Sequence, residues 1–229
     1  MGQIIQENNR QVRPAGDAKV DYARQLLARG LVCLPLRQNG RHLDLDRMGY
    51  TPLHLTTRQK RLKELCFSSI TFQLAQRAPS LADFQNWFSD FSGNIGIVGG
   101  YQNLMILDFD VPQVFVHWQR RYAGLVAATP VVRSPHGFHV YLRTKHPTIS
   151  TSLHYGFRRA GHVKALGGYV VSPPSQFKNG NHYAWLPGQS PLEVEPRLVD
   201  SLSALALRPV TPLKAWYDSW LKRDRFDPN

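Results

Sequence analysis

Cysteine is scarce in this 229-residue sequence: Cys33 and Cys66 stand alone, with no C-x-x-C pair. A disulfide framework and a cysteine zinc knuckle are thereby excluded, and redox chemistry with them. Long apolar runs are also lacking. Nothing approaches the roughly 18 residues that a bilayer span requires, and the polar start (Gln3, Gln6, Glu7, Asn8, Asn9) has no secretory apolar stretch. The reading is a cytoplasmic protein with no membrane partner. The most informative shortage is of acid, because the 82 residues from Val111 through Leu192 contain no Asp or Glu. The same segment holds nine Lys/Arg and seven of the nine His, interleaved with Tyr122, Tyr141, Tyr155, Phe157, Tyr169 and Tyr183. Such a segment predicts a polyanionic partner, nucleic acid or nucleotide phosphate, bound with a steep salt dependence. The alternative, a generally soluble cationic surface, normally mixes both signs of charge.

What is present suffices for a folded core. Hydrophobic residues make up 42% and aromatics 11% of the chain, with a net charge of +12, so a disordered basic tail is excluded as the main reading. The chain divides into a tail (1–16), one domain (17–207) and a helical tail or linker (208–229). A helix is expected from Asp17, with Val20, Ala23 and Leu27 inward and Gly30 ending it. Leu31 to Leu36 reads as a buried strand, and 37–60 as a polar loop or insertion without assignable chemistry. Ser80 and Asp83 form a capping box ahead of a stripe of Leu81, Phe84, Trp87, Phe88 and Phe91, with Gly93 as the stop. Two adjacent strands follow, Asn94–Val98 and Leu104–Asp110, around Gly99-Gly100. Pro112 opens a helix with Val114, Phe115 and Trp118 inward. Further strands are expected at 131–133, 138–143, 162–165, 168–172 and 182–185, and a last helix near 198–207. This order predicts an α+β fold with a mostly antiparallel sheet.

Three segments carry chemistry. In Leu104-Met105-Ile106-Leu107-Asp108-Phe109-Asp110, strand alternation points Asp108 and Asp110 the same way. Two neighbouring carboxylates repel unless a divalent cation neutralises them, and oxygen ligands suit Mg²⁺ or Mn²⁺. Capping of the following helix is the competing explanation. In Ser134-Pro135-His136-Gly137-Phe138-His139-Val140-Tyr141-Leu142-Arg143, the side chains of His139, Tyr141 and Arg143 share a face where His and Arg suit phosphate, or where His makes an ordinary hydrogen bond. His136 and His139, three apart, are expected on opposite faces, unlike the paired histidines of HUH endonucleases. Gly167-Gly168-Tyr169-Val170-Val171-Ser172-Pro173-Pro174-Ser175 is either a close-approach loop for a ligand or a hairpin corner. A second D-x-D, Asp44-Leu45-Asp46, lacks a preceding apolar strand and is assigned no site.

Taken in order, these segments resemble the bifunctional primase-polymerase domain of the archaeo-eukaryotic primase superfamily, over about residues 18 to 205. The resemblance implies an RNA-recognition-motif-like catalytic sheet joined to a small N-terminal α/β unit. The family's metal-binding acids fall on Asp108 and Asp110, and the nucleotide-binding histidine of its second motif on His139. The third motif resembles Gly167 to Ser175, which adds Tyr169 and Ser172 as nucleotide-binding candidates. One departure stands out: the family's usual third metal carboxylate, five residues before the glycine pair, is replaced by His162. Imidazole prefers borderline ions, which favours Mn²⁺ over Mg²⁺. Lys164 lies on the same face, where the family often has a basic residue near the triphosphate. The zinc-binding cysteines of some relatives are absent, and Gly40 to Lys60 resembles a local expansion.

The implied activity is a template-dependent DNA primase/polymerase, a nucleotidyltransferase serving replication of a mobile element such as a plasmid or phage. The expected set is catalytic Asp108, Asp110 and His139; metal ligands Asp108, Asp110 and His162; and nucleotide-binding His139, Arg143, Lys164, Tyr169 and Ser172. The cofactor is Mg²⁺ or Mn²⁺. Expected partners are single-stranded DNA template and primer, nucleoside triphosphates and, as in relatives, a helicase domain or protein. Two other classes predict different outcomes: a nucleic-acid-binding initiator that keeps the fold but has lost turnover, and a metal-dependent nuclease.

Overall fold

The computed structural model describes residues 15–49 and 70–210. The polar loop beyond Gly49 and the tail bearing Trp216 and Trp220 lie outside that range. Helix α1 (Ala15–Ala28) buries Val20, Ala23 and Leu26, and Gly30 follows it at φ +72°. A short buried strand β1 (Cys33–Leu36) comes next. A helical stretch α2 covers residues 70–76. Helix α3 (Leu81–Phe88) opens with the expected capping box: the Asp83 amide donates to the Ser80 hydroxyl and the Ser80 amide to the Asp83 carboxylate. Phe84, Trp87, Phe88 and Phe91 are buried, each contributing about 2 kcal/mol of burial. Leu81, by contrast, is exposed. The helix stops at Phe88, with Asp90 in the left-handed region, rather than at Gly93, which lies against the Leu36 carbonyl.

Strand β2 (Asn94–Val98) pairs antiparallel with β1 on one side and with β8 (Tyr169–Ser172) on the other, giving a three-stranded sheet. Strand β3 (Leu104–Phe109) follows β2 closely in sequence but does not pair with it. It belongs to a second, eight-stranded sheet, so the two strands expected to be neighbours are consecutive but not partners. The chain changes sheet at Gly99-Gly100, where an added Cβ would strike the backbone of Lys164–Leu166.

The larger sheet also contains β4 (Val131–Arg133), β5 (Phe138–Thr144), β6 (Thr151–Tyr155), β7 (Arg158–Lys164), β9 (Ala184–Trp185), β10 (Arg197–Val199) and β11 (Leu207–Pro209). Its order is β11-β6-β7-β3-β5-β4-β9, with β10 beside β5 as the one parallel neighbour. The helix expected near 198–207 is therefore not formed: that segment is β10, a short 3-10 turn (Ser203–Leu205) and β11. Pairing with β5 and β6 wins there over weak helical periodicity.

The two faces of β3 pack on different cores. Leu104 and Ile106 face α1, α3 and the smaller sheet. Met105, Leu107 and Phe109 face α4 (Pro112–Arg121) and α5 (Ala123–Ala127), where Val114, Phe115 and Trp118 are buried. The architecture is α+β with mostly antiparallel strands. Among the described residues no helix is long and apolar enough to cross a membrane.

Candidate active site

Alternation along β3 decides where the acids go. Asp108 follows Leu104 and Ile106 onto the face shared with the smaller sheet, at the last turn of the pleat before α4. The register sets His139 of β5 directly opposite it on one side and His162 of β7 on the other. One row across three central strands thus carries His-Asp-His.

Side-chain geometry closes this row into a cluster. His139 Nε2 lies 3.3 Å from Asp108 Oδ1, and His162 Nδ1 lies 3.2 Å from Asp110 Oδ2. Ligand atoms of Asp108, Asp110 and His162 all fall within 4.8 Å of one another. Two carboxylates and an imidazole at that spacing could hold one metal ion. Burial alone would raise the Asp108 pKa. The His139 hydrogen bond and the positive surroundings of His139, Lys164 and His162 outweigh it, and the carboxyl is held below the usual range.

Two glycines allow the acid-bearing end of β3 to be clasped from both sides. An added Cβ on Gly137 would lie 1.8 Å from the Phe109 carbonyl oxygen, and one on Gly161 1.9 Å from that of Asp108. Gly161 also holds φ +147°, which side chains with a Cβ rarely adopt. This residue sits in an irregularity of β7. Pairing with β6 skips Ala160, so Ala160 and Val163 both face α4 while Arg159, His162 and Lys164 share the site face. The Asp110 amide donates to the Ala160 carbonyl at 3.0 Å, which ties the second acid to the same bulge.

Arg159 reaches back over His162, its guanidinium 3.2 Å from Nε2. A guanidinium only donates, so Nε2 accepts and the imidazole proton resides on Nδ1, directed at Asp110. His139 is oriented differently: its Nε2–H donates to Asp108, its ring lies 5.6 Å from that of Tyr183, and its Nδ1 is buried without a partner.

The cluster opens into a pocket of about 370 Å³. Asp108, Asp110, His139, Lys164 and Tyr169 line it, as do Gly167 and Gly168 of the third motif. Two expected residues do not reach it. Arg143 shares the face of His139 but points to the far end of β5, where its guanidinium donates to the carbonyls of Gln102 at 2.7 Å, Gly30 at 3.3 Å, and Tyr101 and Arg29 at 3.4 Å. These bonds clamp the α1–β1 turn and the segment before β3, away from the pocket. Ser172 is fully buried beneath the pocket, its hydroxyl donating to the Pro173 carbonyl. His136 corrects a further expectation: it belongs to the turn before β5, so the two-face rule does not apply and it lines the same pocket as His139. Sequence reading missed Arg41 and Tyr183 on the pocket wall and Arg159 behind His162. Arg41 sits in the loop judged empty of chemistry, held by a cation-π contact with Phe177 at 5.6 Å. The neighbouring Asp44-Leu45-Asp46 remains without a site; Asp46 pairs loosely with Arg37 at 3.9 Å.

A family model described as bifunctional DNA primase/polymerase, N-terminal, matches residues 23–199. The chain belongs to the Prim-Pol family. No curated protein sequence matches it significantly. The Prim-Pol match covers the smaller sheet, all of the larger sheet except β11, and every residue of the pocket, so the cluster lies within the part of the chain that defines membership.

Proposed function

We propose that this Prim-Pol domain is a metal-dependent nucleotidyltransferase that extends a 3′-hydroxyl with nucleotides on a single-stranded DNA template. The eight-stranded sheet with α4 is read as the RNA-recognition-motif-like catalytic unit. The smaller sheet with α1 to α3 is its N-terminal α/β companion, within one domain over 17–207. The carrying observation is the row His139-Asp108-His162 with Asp110 at its end, facing a pocket whose walls supply Lys164 and Arg41.

Asp108, Asp110 and His162 would hold Mg²⁺ or Mn²⁺, which when bound supplies charge neutralisation for phosphoryl transfer. The protein's own groups then divide the remaining tasks. Lys164 and Arg41 attract the triphosphate, and Tyr169 bounds it. With Asp108 engaged elsewhere, the Nε2–H of His139 turns to a phosphate oxygen as a charge-assisted donor. A 3′-hydroxyl attacks the α-phosphate and releases its proton to solvent; the new P–O bond forms, and the bond to pyrophosphate breaks. In this reading a mobile element's replication supplies the template.

The decisive experiment is template-directed incorporation with Mg²⁺ and with Mn²⁺, alongside Asp108→Ala and Asp110→Ala. Synthesis lost in both variants supports the proposal, whereas DNA cutting without nucleotides would point to a nuclease. The Arg159–His162 contact favours a second reading, a DNA-binding initiator with little turnover. It predicts intact DNA binding and no incorporation from the unaltered protein.

A further inference from the structure

A groove of about 860 Å³, larger than the acid pocket, lies on the opposite side of β7. Three elements build it: one face of α4 along its length, with His117 and, at its end, Arg121; the β6–β7 tip, with Tyr155, Phe157 and Arg158; and β11, with Arg208. No acid lines it.

The tip explains why the groove asks for a ligand. Strand β6 ends at Tyr155 and β7 begins at Arg158, leaving Gly156-Phe157 as a two-residue turn with Gly156 at φ +60°. Such a turn needs glycine at its first position but makes no demand for an aromatic at its second. Phe157 is nevertheless 99% exposed. The Arg208 guanidinium lies 5.7 Å from the ring centroid and also donates to the Gly156 carbonyl. A ring held at a hairpin tip, and buried against nothing, is a stacking platform rather than a core residue. The bulge in β7 distributes the arginine pair: Arg159 stays with His162 and the acids, whereas Arg158 goes to the groove. Gln113 of the groove's α4 wall comes only three residues after Asp110, so groove and acid cluster share one end of the sheet.

We propose that this groove binds single-stranded nucleic acid, its phosphates on Arg121, Arg158 and Arg208 and a base stacked on Phe157. Charge selects a polyanion. The exposed ring selects one whose bases are unpaired, because a duplex hides their faces. The identity of that strand as template or primer rests on the nucleotidyl-transfer reading; the binding itself does not. An acidic peptide would meet the arginines but would gain little from Phe157.

The test is fluorescence anisotropy of a labelled oligo-dT across a salt series, in EDTA and without nucleotides, so that its outcome is independent of catalysis. Phe157→Ala, at a fully exposed site, is expected to fold as the parent does by melting temperature and to weaken binding about 5- to 100-fold, with Phe157→Trp restoring it. Arg121→Gln with Arg158→Gln is expected to flatten the slope of log affinity against log salt by about 1.4, two phosphate contacts' worth on a single strand. Unchanged affinity and slope in both groove variants, or an equal loss for Phe157→Ala on duplex and single strand, would overturn the assignment.

Discussion

Gly161 and Asp108 are locked together: a Cβ on the glycine would lie 1.9 Å from the aspartate's carbonyl oxygen. The contact is backbone against backbone, so no side-chain rotation relieves it, and φ +147° at Gly161 adds strain of its own. Gly161→Ala is expected to cost about 3 kcal/mol, roughly 6–12 °C in Tm for a chain of this size. Mn²⁺ binding should weaken in the same variant, because the bulge that places His162 and ties down Asp110 moves with it. Calorimetry with a parallel Mn²⁺ titration checks both. An unchanged Tm would mean that β3 and β7 are not packed this closely.

Arg159 governs which nitrogen of His162 carries the proton. As a donor at 3.2 Å it holds the proton on Nδ1, the atom facing Asp110, where an ion must displace it. Glutamine can accept as well as donate and carries no charge, so Nε2 is free to take the proton, which leaves the Nδ1 lone pair to an ion and removes a positive charge beside it. Arg159→Gln is therefore expected to tighten Mn²⁺ binding several-fold, and Arg159→Ala to have a smaller effect. Isothermal titration at fixed pH reads both. Weaker binding in the glutamine variant would show that the guanidinium assists the site.

Arg143 and Lys164 separate scaffold from pocket. The Arg143 guanidinium serves carbonyls of the α1–β1 turn and the segment before β3, so Arg143→Met is expected to lower stability by about 2 kcal/mol while leaving nucleotide KM unchanged. Lys164 lines the acid pocket, and Lys164→Met is expected to raise nucleotide KM roughly tenfold with little change in Tm. Steady-state kinetics and thermal melts on the two variants distinguish them. The opposite pattern would restore Arg143 to the triphosphate.

Much of the site was legible before any coordinates because its logic is local. The two-residue period put Asp108 opposite Leu107 and beside Ile106 in orientation, and the Ser80–Asp83 box and the Pro112 start depend on neighbours within one turn. What escaped depends on long-range pairing. Gly99-Gly100 reads as a hairpin turn, yet it hands the chain to a second sheet, since β2 finds its partner 70 residues later in β8. Strand alternation breaks at Ala160-Gly161 because a bulge resets the count, and no single-strand pattern announces a bulge. That reset decides which of Arg158 and Arg159 joins the acids. The surroundings of Arg143 escape for a related reason: sharing a face with His139 fixes direction but not position along the strand, and at the far end of β5 the long side chain meets the carbonyls of Gln102 and Gly30. Strands β10 and β11 have too few residues to show a period at all.

Alkaline stability should follow the buried tyrosines. Burial pushes the Tyr22 hydroxyl up to about 12, against a modest lowering by the Trp185 indole N–H that donates to it, and burial likewise raises Tyr141, Tyr169 and Tyr183. A raised acid pKa means that the folded state favours the neutral phenol. The associated stability is fully present below pH 10 and is lost as pH rises through the folded-state value near 12. Tyr22 alone accounts for about 2 kcal/mol of that loss. Denaturant midpoints at pH 9, 10 and 11 are expected to fall for the parent and to fall less steeply for Tyr22→Phe. A flat profile would contradict the burial of these hydroxyls.

The central claim, that Asp108 and Asp110 together hold a divalent ion on which a nucleotide's phosphates converge, is tested most directly by Mn²⁺ electron paramagnetic resonance with and without a nucleoside triphosphate. The account predicts a bound-Mn²⁺ signal that strengthens when nucleotide is added and disappears in Asp108→Asn and Asp110→Asn, both of which keep the side-chain shape. A signal of equal strength in those variants, or none in the unaltered protein with nucleotide present, would contradict it.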